Sequence, residues 1–242
     1  MKILLLTTET THHAKFVESV AAHSEVLVVS EEKPSFTPSF ATASAALAPQ
    51  QESHERDRWF RGSDAKLSDF SEVLKVSSIN SLNLRGLKSS IRQDLTIVFG
   101  TSILSLETIV GIGSPILNFH GGDPQYYRGL DSHLWCSYHS DWSNLKVGLH
   151  VLEPTIDTGP LAALRKINVD PNASLEQLRA VTTELCVSMM IDVVNMWPAA
   201  LSKSSMQHYK PGRYYSHMPE VLLERCRKNF SKWVLRKDRP EA

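Results

Sequence analysis

The sequence predicts an α/β fold: a mostly parallel sheet flanked by helices, with a short C-terminal extension. Short apolar runs (KILLLTT from Lys2, EVLVVS from Glu25, LTIVFG from Leu95) are bounded by polar or turn-forming residues, as buried strands are. Stretches with helical spacing lie between them, and strand–helix–strand order builds a parallel sheet with both faces covered. The 242 residues, 42% hydrophobic and 21% charged, suffice for one large domain or one domain with a modest appendage.

Lys2–Thr8 reads as the first strand, the following HHAKFVESVAAH as a helix and Glu25–Ser30 as the second strand. Residues Glu31–Pro49, rich in Ser, Pro, Thr and Ala, read as a loop or an inserted element. Charged Gln50–Arg61 reads as a helix tacked to the body by Trp59 and Phe60. Alternation then resumes with strand Glu72–Val76, helix Ser81–Arg92, strand Leu95–Gly100, helix Leu104–Val110 and strand Ile116–His120. Lys146–Leu152 and Gly159–Val169 read as an antiparallel pair of strands. Ser174 with Gln177 three residues on is a capping-box signature. Leu175, Leu178, Val181, Leu185, Met189 and Val193 carry that helix to about Trp197, with Met189 and Met190 as core. From Ala200 the chain is basic and aromatic, with a helix over Glu220–Val234. The expected division is a body over 1–200 and an extension over 201–242.

Composition excludes several classes. Lys+Arg and Asp+Glu balance at 26 each, so no net field recruits nucleic acid or an anionic membrane. No run approaches the roughly 18 apolar residues of a membrane span. The opening MKILLLTTETTHH has too short an apolar run for a signal peptide. Cys136, Cys186 and Cys226 are widely separated, which suits a reducing cytoplasm. GIGSP lacks the third glycine of a dinucleotide fingerprint, and neither a P-loop nor a Gly-x-Ser-x-Gly elbow is present. His133, His139 and His150 lack the spacing and companion ligands of a metal site, so no metal is expected.

The stretch ILNFHGGDPQYYRGLDSHLW, from Ile116, ends a strand in a polar corner, and an arginine-glycine pair precedes what reads as a short helix. Ligands sit beyond the carboxyl ends of strands in such sheets. Side chains alternate along a strand, so Asn118 and His120 share a face. An amide there can donate to an oxyanion while the imidazole shuttles a proton, although both groups serve equally well to satisfy a turn. Gly121 and Gly122 would let an incoming group approach the backbone closely. Asp157, in LEPTIDTGP, has the composition of an ordinary Asx turn. If that loop folds back over His120, its carboxylate can orient the imidazole or order a water.

Asn118, His120, Arg128-Gly129 and Asp157-Thr158-Gly159, in that order, resemble the catalytic domain of the folate-dependent formyltransferases. The resemblance spans roughly Ile97 to Val169, with weaker agreement back to Met1. It implies a Rossmann-like catalytic domain over 1–200, with Asn118, His120 and Asp157 as the catalytic trio. It also implies 10-formyltetrahydrofolate as co-substrate and no metal. Gly100, Thr101, Ile103 and Leu104 of GTSIL match the loop whose backbone reads the pterin edge, and the loop from Leu152 forms the other wall. After the histidine this chain has GGDPQYYRGLDSHLW rather than a Ser-Leu-Leu-Pro-like run, which is similar to the branch that formylates amino sugars carried on nucleotides. That branch serves bacterial surface polysaccharides such as the lipopolysaccharide O-antigen. Gly122, Asp123, Tyr126, Tyr127 and Arg128 are then the expected acceptor contacts, and the resemblance suggests a homodimer. Zero net charge and the short stretch after Ala200 speak against a tRNA substrate. Formyl transfer to another small amine, hydrolysis of the donor, and a silent folate- or nucleotide-binding protein remain open. KPGRYYSHMP, from Lys210, either stacks a base and meets a phosphate or packs on the body or a second subunit; packing is the commoner use.

Overall fold

Seven strands form one sheet in the order β3-β2-β1-β4-β5-β7-β8. They are β1 (Lys2–Thr8), β2 (Glu25–Glu31), β3 (Glu72–Val76), β4 (Leu95–Phe99), β5 (Ile116–His120), β7 (Lys146–Val151) and β8 (Leu161–Lys166). The computed structural model describes residues 1–32, 38–82, 93–202, 204–207 and 212–237. Strands β3 through β5 are parallel, whereas β7 pairs antiparallel with β5 and β8 antiparallel with β7. The α/β, mostly parallel architecture is therefore as the sequence predicts. A short ribbon, β6 (Tyr127–Gly129) parallel to β9 (Arg213–Tyr215), stands apart from the main sheet.

The two faces of the sheet carry unequal cores. Ile3, Leu5, Val28, Ile97, Leu117 and Phe119 belong to the larger cluster, and Leu4, Leu6, Val29, Val98 and Ile116 to the smaller one. This is the period-2 alternation of strands covered on both sides. Helix α1 (Thr11–Ala21) buries Phe16, Val17 and Val20 on the larger side, at the spacing of one helical face. Phe16 stacks on Phe99 at 4.4 Å and meets Phe119 edge-on at 5.4 Å. Helix α2 (Ala43–Phe60) adds Leu47, and Leu178, Cys186, Met189 and Met190 of α5 (Leu178–Met196) complete that layer. The smaller side is covered by Ile79, by Leu104 and by Ile112 of α3 (Leu106–Ile112).

Several boundaries differ from the sequence reading. Within Glu31–Pro49, β2 runs on through Glu31 and α2 begins at Ala43, passing through Pro49 to Phe60. The reason is local: Thr42 Oγ1 accepts from Ala45 N at 3.2 Å, and an alanine-rich first turn favours helix despite the proline. Helix α3 starts at Leu106 because Ser105 Oγ caps Thr108 N at 3.1 Å. Ser174 N–H donates to Gln177 Oε1 at 2.9 Å, so the capping box forms, but it opens a 3₁₀ turn before α5. Of the expected helix Ser81–Arg92, residues 83–92 lie outside the described residues. Helices α4 (Ser132–His139), α6 (Ala199–Ser202) and α7 (Leu223–Lys237) complete the chain. Leu223, Cys226, Phe230 and Val234 of α7 join the larger core, so this part of 201–242 packs on the body.

Phe16, fully buried between two strand-borne rings, gives the first test. Phe16→Ala should lower the unfolding free energy by about 3–5 kcal/mol with an unchanged denaturant slope. A loss below about 1 kcal/mol in guanidinium titration would mean that this aromatic cluster does not hold α1 to the sheet.

Candidate active site

The smaller apolar face gives way to polar chemistry at the end of β5. Ile116 belongs to the small core, and Asn118 and His120 follow at the same parity, so all three point to that side. The antiparallel register sets His150 of β7 opposite Asn118. A bulge in the β7–β8 pairing falls between Leu149 and His150, a common device beside functional side chains. Beyond Leu152 the loop turns back over this face and brings in Asp157.

These four side chains form one network. Asp157 Oδ2 lies 3.5 Å from His120 Nδ1, and its Oδ1 lies 3.4 Å from His150 Nε2. Asn118 Nδ2 lies 3.1 Å from His150 Nε2. His120, His150 and Asp157 are 6%, 2% and 9% exposed, so the cluster is nearly dry. The expected trio is thus brought together, and His150 joins it.

Partners fix the tautomers. His120 Nε2 faces the Tyr127 carbonyl at 2.7 Å, and a carbonyl only accepts, so Nε2 carries a proton. His150 Nδ1 likewise donates to the Val151 carbonyl at 2.9 Å, leaving Nε2 to accept from the Asn118 amide. Burial pushes the His120 imidazole below its ordinary value against the opposing pull of Asp157. Neutral His120 then presents the lone pair of Nδ1 toward the carboxylate side. On taking a proton there, it gains Asp157 as an ion-pair partner. Burial by itself would raise the Asp157 carboxyl, but the charge that His120 carries once protonated, a hydrogen bond from His150 when its Nε2 bears a proton, and the Gly129 N–H hold it at about 2. An acceptor for one proton, with its counter-charge already in place, is what this arrangement supplies.

Backbone details support it. Asp157 adopts φ 54°, the left-handed region that Asp tolerates better than most residues. Its Oδ2 accepts from Gly129 N at 2.8 Å. Gly129 has φ 91°, and a Cβ there would run into the Tyr215 carbonyl oxygen, so the arginine-glycine pair is glycine for a steric reason. Gln207 Nε2 donates to the carbonyls of Asp157 at 2.9 Å and Gly159 at 2.8 Å, tethering the loop from fifty residues away.

The other expected residues divide. Gly100 has φ 76°, and its carbonyl accepts from Thr8 Oγ1 at 3.1 Å. Thr101 Oγ1 donates to the Ser102 carbonyl. Ile103 is 66% exposed, whereas Leu104 is buried in the smaller cluster with Leu152 packed against it. Gly122 leaves room for Ser132 and His120, whose atoms would lie 2.9 Å and 3.3 Å from a Cβ. Asp123 is turned inward: it is 1% exposed and paired with Lys146 Nζ at 2.8 Å, so it braces the turn. Tyr127 is also buried, its hydroxyl donates to Asp141, and its carbonyl orients His120. Arg128 Nε donates to the Gly212 carbonyl at 3.0 Å. Tyr126 is half exposed and, with Tyr127, Asp141, Arg213 and Tyr215, lines an open cleft of about 460 Å³. Within KPGRYYSHMP, Lys210 and Pro211 lie outside the described residues, while Tyr215 stacks on Tyr127 at 5.3 Å and meets Trp135 at 5.0 Å.

Of the three histidines weighed as ligands, only His150 reaches the site. His133 Nε2 donates to the Lys146 carbonyl, and His139 sits in the aromatic group around Tyr215. Sequence reasoning missed His150 and Gln207 as site residues. A polar ring inside the apolar VGLHVL was a visible signal for the first; nothing local marks the second. Among the described residues, no group of three or more His, Cys, Asp or Glu side chains is arranged to hold a metal ion, and no helix is long and apolar enough to cross a membrane.

No protein-family model matches the chain, and comparison with curated proteins finds no match. Solved structures do match. A 4-N formyltransferase from Francisella tularensis superposes with a TM-score of 0.58 at 15% identity, covering 89% of this chain and 76% of that one. An N-formyltransferase from Helicobacter canadensis, in complex with folinic acid and dTDP-3-aminofucose, gives 0.56 at 13% identity over 89% and 71%. HypX from Aquifex aeolicus gives 0.57 at 17% identity; 92% of this chain is covered, but the match spans only 31% of HypX. The chain therefore shares the fold of the formyltransferases.

The acid limb of stability tests the Asp157 network. A carboxyl held at about 2 when folded, against about 3.9 unfolded, stabilises the fold above pH 4 and loses that contribution as pH falls through about 2. The difference in unfolding free energy between wild type and Asp157→Asn should shrink by on the order of 2 kcal/mol between about pH 4 and pH 2. A flat difference across that window in urea titrations would show that the histidines do not hold the carboxylate.

Proposed function

We propose that this chain is a folate-dependent N-formyltransferase that moves a formyl group from 10-formyltetrahydrofolate to the amine of a nucleotide-linked amino sugar. The observation that carries the reading is the assembly of Asn118, His120 and Asp157 into one buried network at a strand end of a fold shared with sugar N-formyltransferases. The donor and acceptor classes draw support from the Helicobacter canadensis structure, which holds folinic acid and dTDP-3-aminofucose.

The donor fits the residues present. Ile103 stands 66% exposed on a loop whose backbone is held by hydrogen bonds, and an apolar side chain so displayed is what a flat ring system would cover. That loop follows β4, and Leu104 and Leu152 lie on the same side of the sheet as Asn118 and His120. When bound, the donor supplies an electrophilic formyl carbon. An attacking amine forms a C–N bond to that carbon, and charge develops on the formyl oxygen. Asn118, with one N–H given to His150, offers the other to that oxygen; one such donor is worth on the order of 3–4 kcal/mol of barrier. His120 Nδ1 takes the proton that the amine must lose, and Asp157 stabilises the imidazolium. The bond from the formyl carbon to the folate nitrogen then breaks, and His120 returns a proton to that leaving nitrogen. Tyr126 and Arg128, beside the trio in the chain, remain the proposed acceptor contacts.

The test follows tetrahydrofolate release from 10-formyltetrahydrofolate against a panel of nucleotide-linked amino sugars, with a control lacking acceptor. Release that depends on one acceptor is expected. Asn118→Ala should reduce kcat by about 10²–10³-fold, and His120→Ala and Asp157→Ala by at least as much, with the fold intact. Formate appearing without acceptor would replace transfer by hydrolysis, and substantial transfer by His120→Ala would sink the assigned roles.

A further inference from the structure

Glu31 is a carboxylate with an unusual set of partners. It ends β2, is 3% exposed, and its hydrogen bonds come from two loops rather than from a cation. Ser102 N donates to Oε2 at 2.8 Å, Ser102 Oγ reaches Oε1 at 2.6 Å and Oε2 at 2.7 Å, and Ile79 N donates to Oε1 at 3.0 Å. Burial alone would raise this carboxyl, but the Ser102 and Ile79 donors outweigh it and hold it below its ordinary value. None of the groups in the Asn118–His120–Asp157 network touches it.

Its reach explains its use. Glu31 pairs with Thr8 of β1, and Thr7 pairs with Phe99 of β4, so β1 lies between Glu31 and the chain leaving β4. To meet Glu31, residues Gly100–Ser102 must cross the carboxyl end of β1, a span of two strand spacings or about 10 Å. The crossing is pinned at each step. Thr8 Oγ1 holds the Gly100 carbonyl, Glu31 holds Ser102, and Asn80 Nδ2 donates to the Ile103 carbonyl at 3.0 Å. Asn80 Oδ1 accepts from Ser105 N at 2.8 Å, and Asn80 adjoins Ile79, which also donates to Glu31. The product is a rigid arch at the chain-order reversal of the sheet, where ligands of α/β folds bind. On its outer side stands Ile103, 66% exposed. An arch fixed before a ligand arrives spares that ligand the entropy of ordering it.

We propose that Glu31 is the positioning residue of the donor-binding loop, its carboxylate setting the conformation of Gly100–Leu104 in which the folate ring system is received. The inference rests on the folate reading above. Only a carboxylate satisfies these donors on both oxygens. The isosteric Glu31→Gln turns an NH2 toward either Ser102 N or Ile79 N and sets donor against donor.

The probe is folinic acid, titrated calorimetrically into wild type, Glu31→Gln and Ser102→Ala, with thermal melts of each. Wild type binds, Glu31→Gln binds at least about tenfold more weakly while still melting cooperatively, and Ser102→Ala shows a smaller loss in the same direction. In turnover, Glu31→Gln raises KM for the donor about tenfold while kcat falls less than about threefold, a split that general destabilisation would not give. Equal affinity in wild type and Glu31→Gln overturns the inference and leaves the folate reading standing. No binding by wild type overturns the folate reading, and this inference with it. If Glu31→Gln does not fold, Ser102→Ala decides, and unchanged affinity there overturns the proposal.

Discussion

Everything at this site depends on one buried carboxylate. Asp157 is 9% exposed, and an isolated charge so placed would cost several kcal/mol. The Gly129 N–H donates to its Oδ2, and His120 at one oxygen and His150 at the other become its counter-charges once protonated. These partners come from β5, from β7 and from the small ribbon, so the carboxylate ties three separate elements to a fourth, its own loop. Left-handed backbone at Asp157 and two hydrogen bonds from Gln207 deliver the side chain to that point.

The change of direction within the sheet makes this possible. A wholly parallel sheet would place a helical crossover after β5. Here β7 returns antiparallel, and its register sets His150 beside Asn118 on the thinner of the two core faces. Phe119, between the two polar residues, points the other way into Phe16 and Phe99. The apolar anchor and the polar pair are therefore a single five-residue strand read on its two faces. The loop from Gly100 sets Leu104 on that same face as the polar pair.

Particular residues show how far the sequence can be read. Strands β1 and β4 were legible because burial on both faces leaves a short apolar run bounded by polar or turn-forming residues. Asn118 and His120 were legible as a pair because alternation is a local rule. The start of α2 was not: its composition spoke for a loop, and the Thr42 cap with the alanine-rich first turn outweighed Pro49. Asp123 was expected at the acceptor because it follows His120 closely, yet the turn buries it on Lys146. Tyr127 was expected as an acceptor contact, and the structure sets its carbonyl against His120 Nε2. Adjacency in sequence says which residues are near, not which way they face.

From the sequence alone came the α/β class, the strand order along the chain, and a candidate set of Asn118, His120 and Asp157. Each of these rests on hydrophobic periodicity, on turn composition or on an ordered motif, all written in neighbouring residues. Tertiary structure alone decided that His150 completes the network, that Gln207 holds its loop, and that Glu31 pins the arch over β1. Those contacts join residues 32, 50 and 71 positions apart. They exist only once strand pairing has chosen a register, and that choice is made by burying the whole sheet at once rather than by any local stretch of chain.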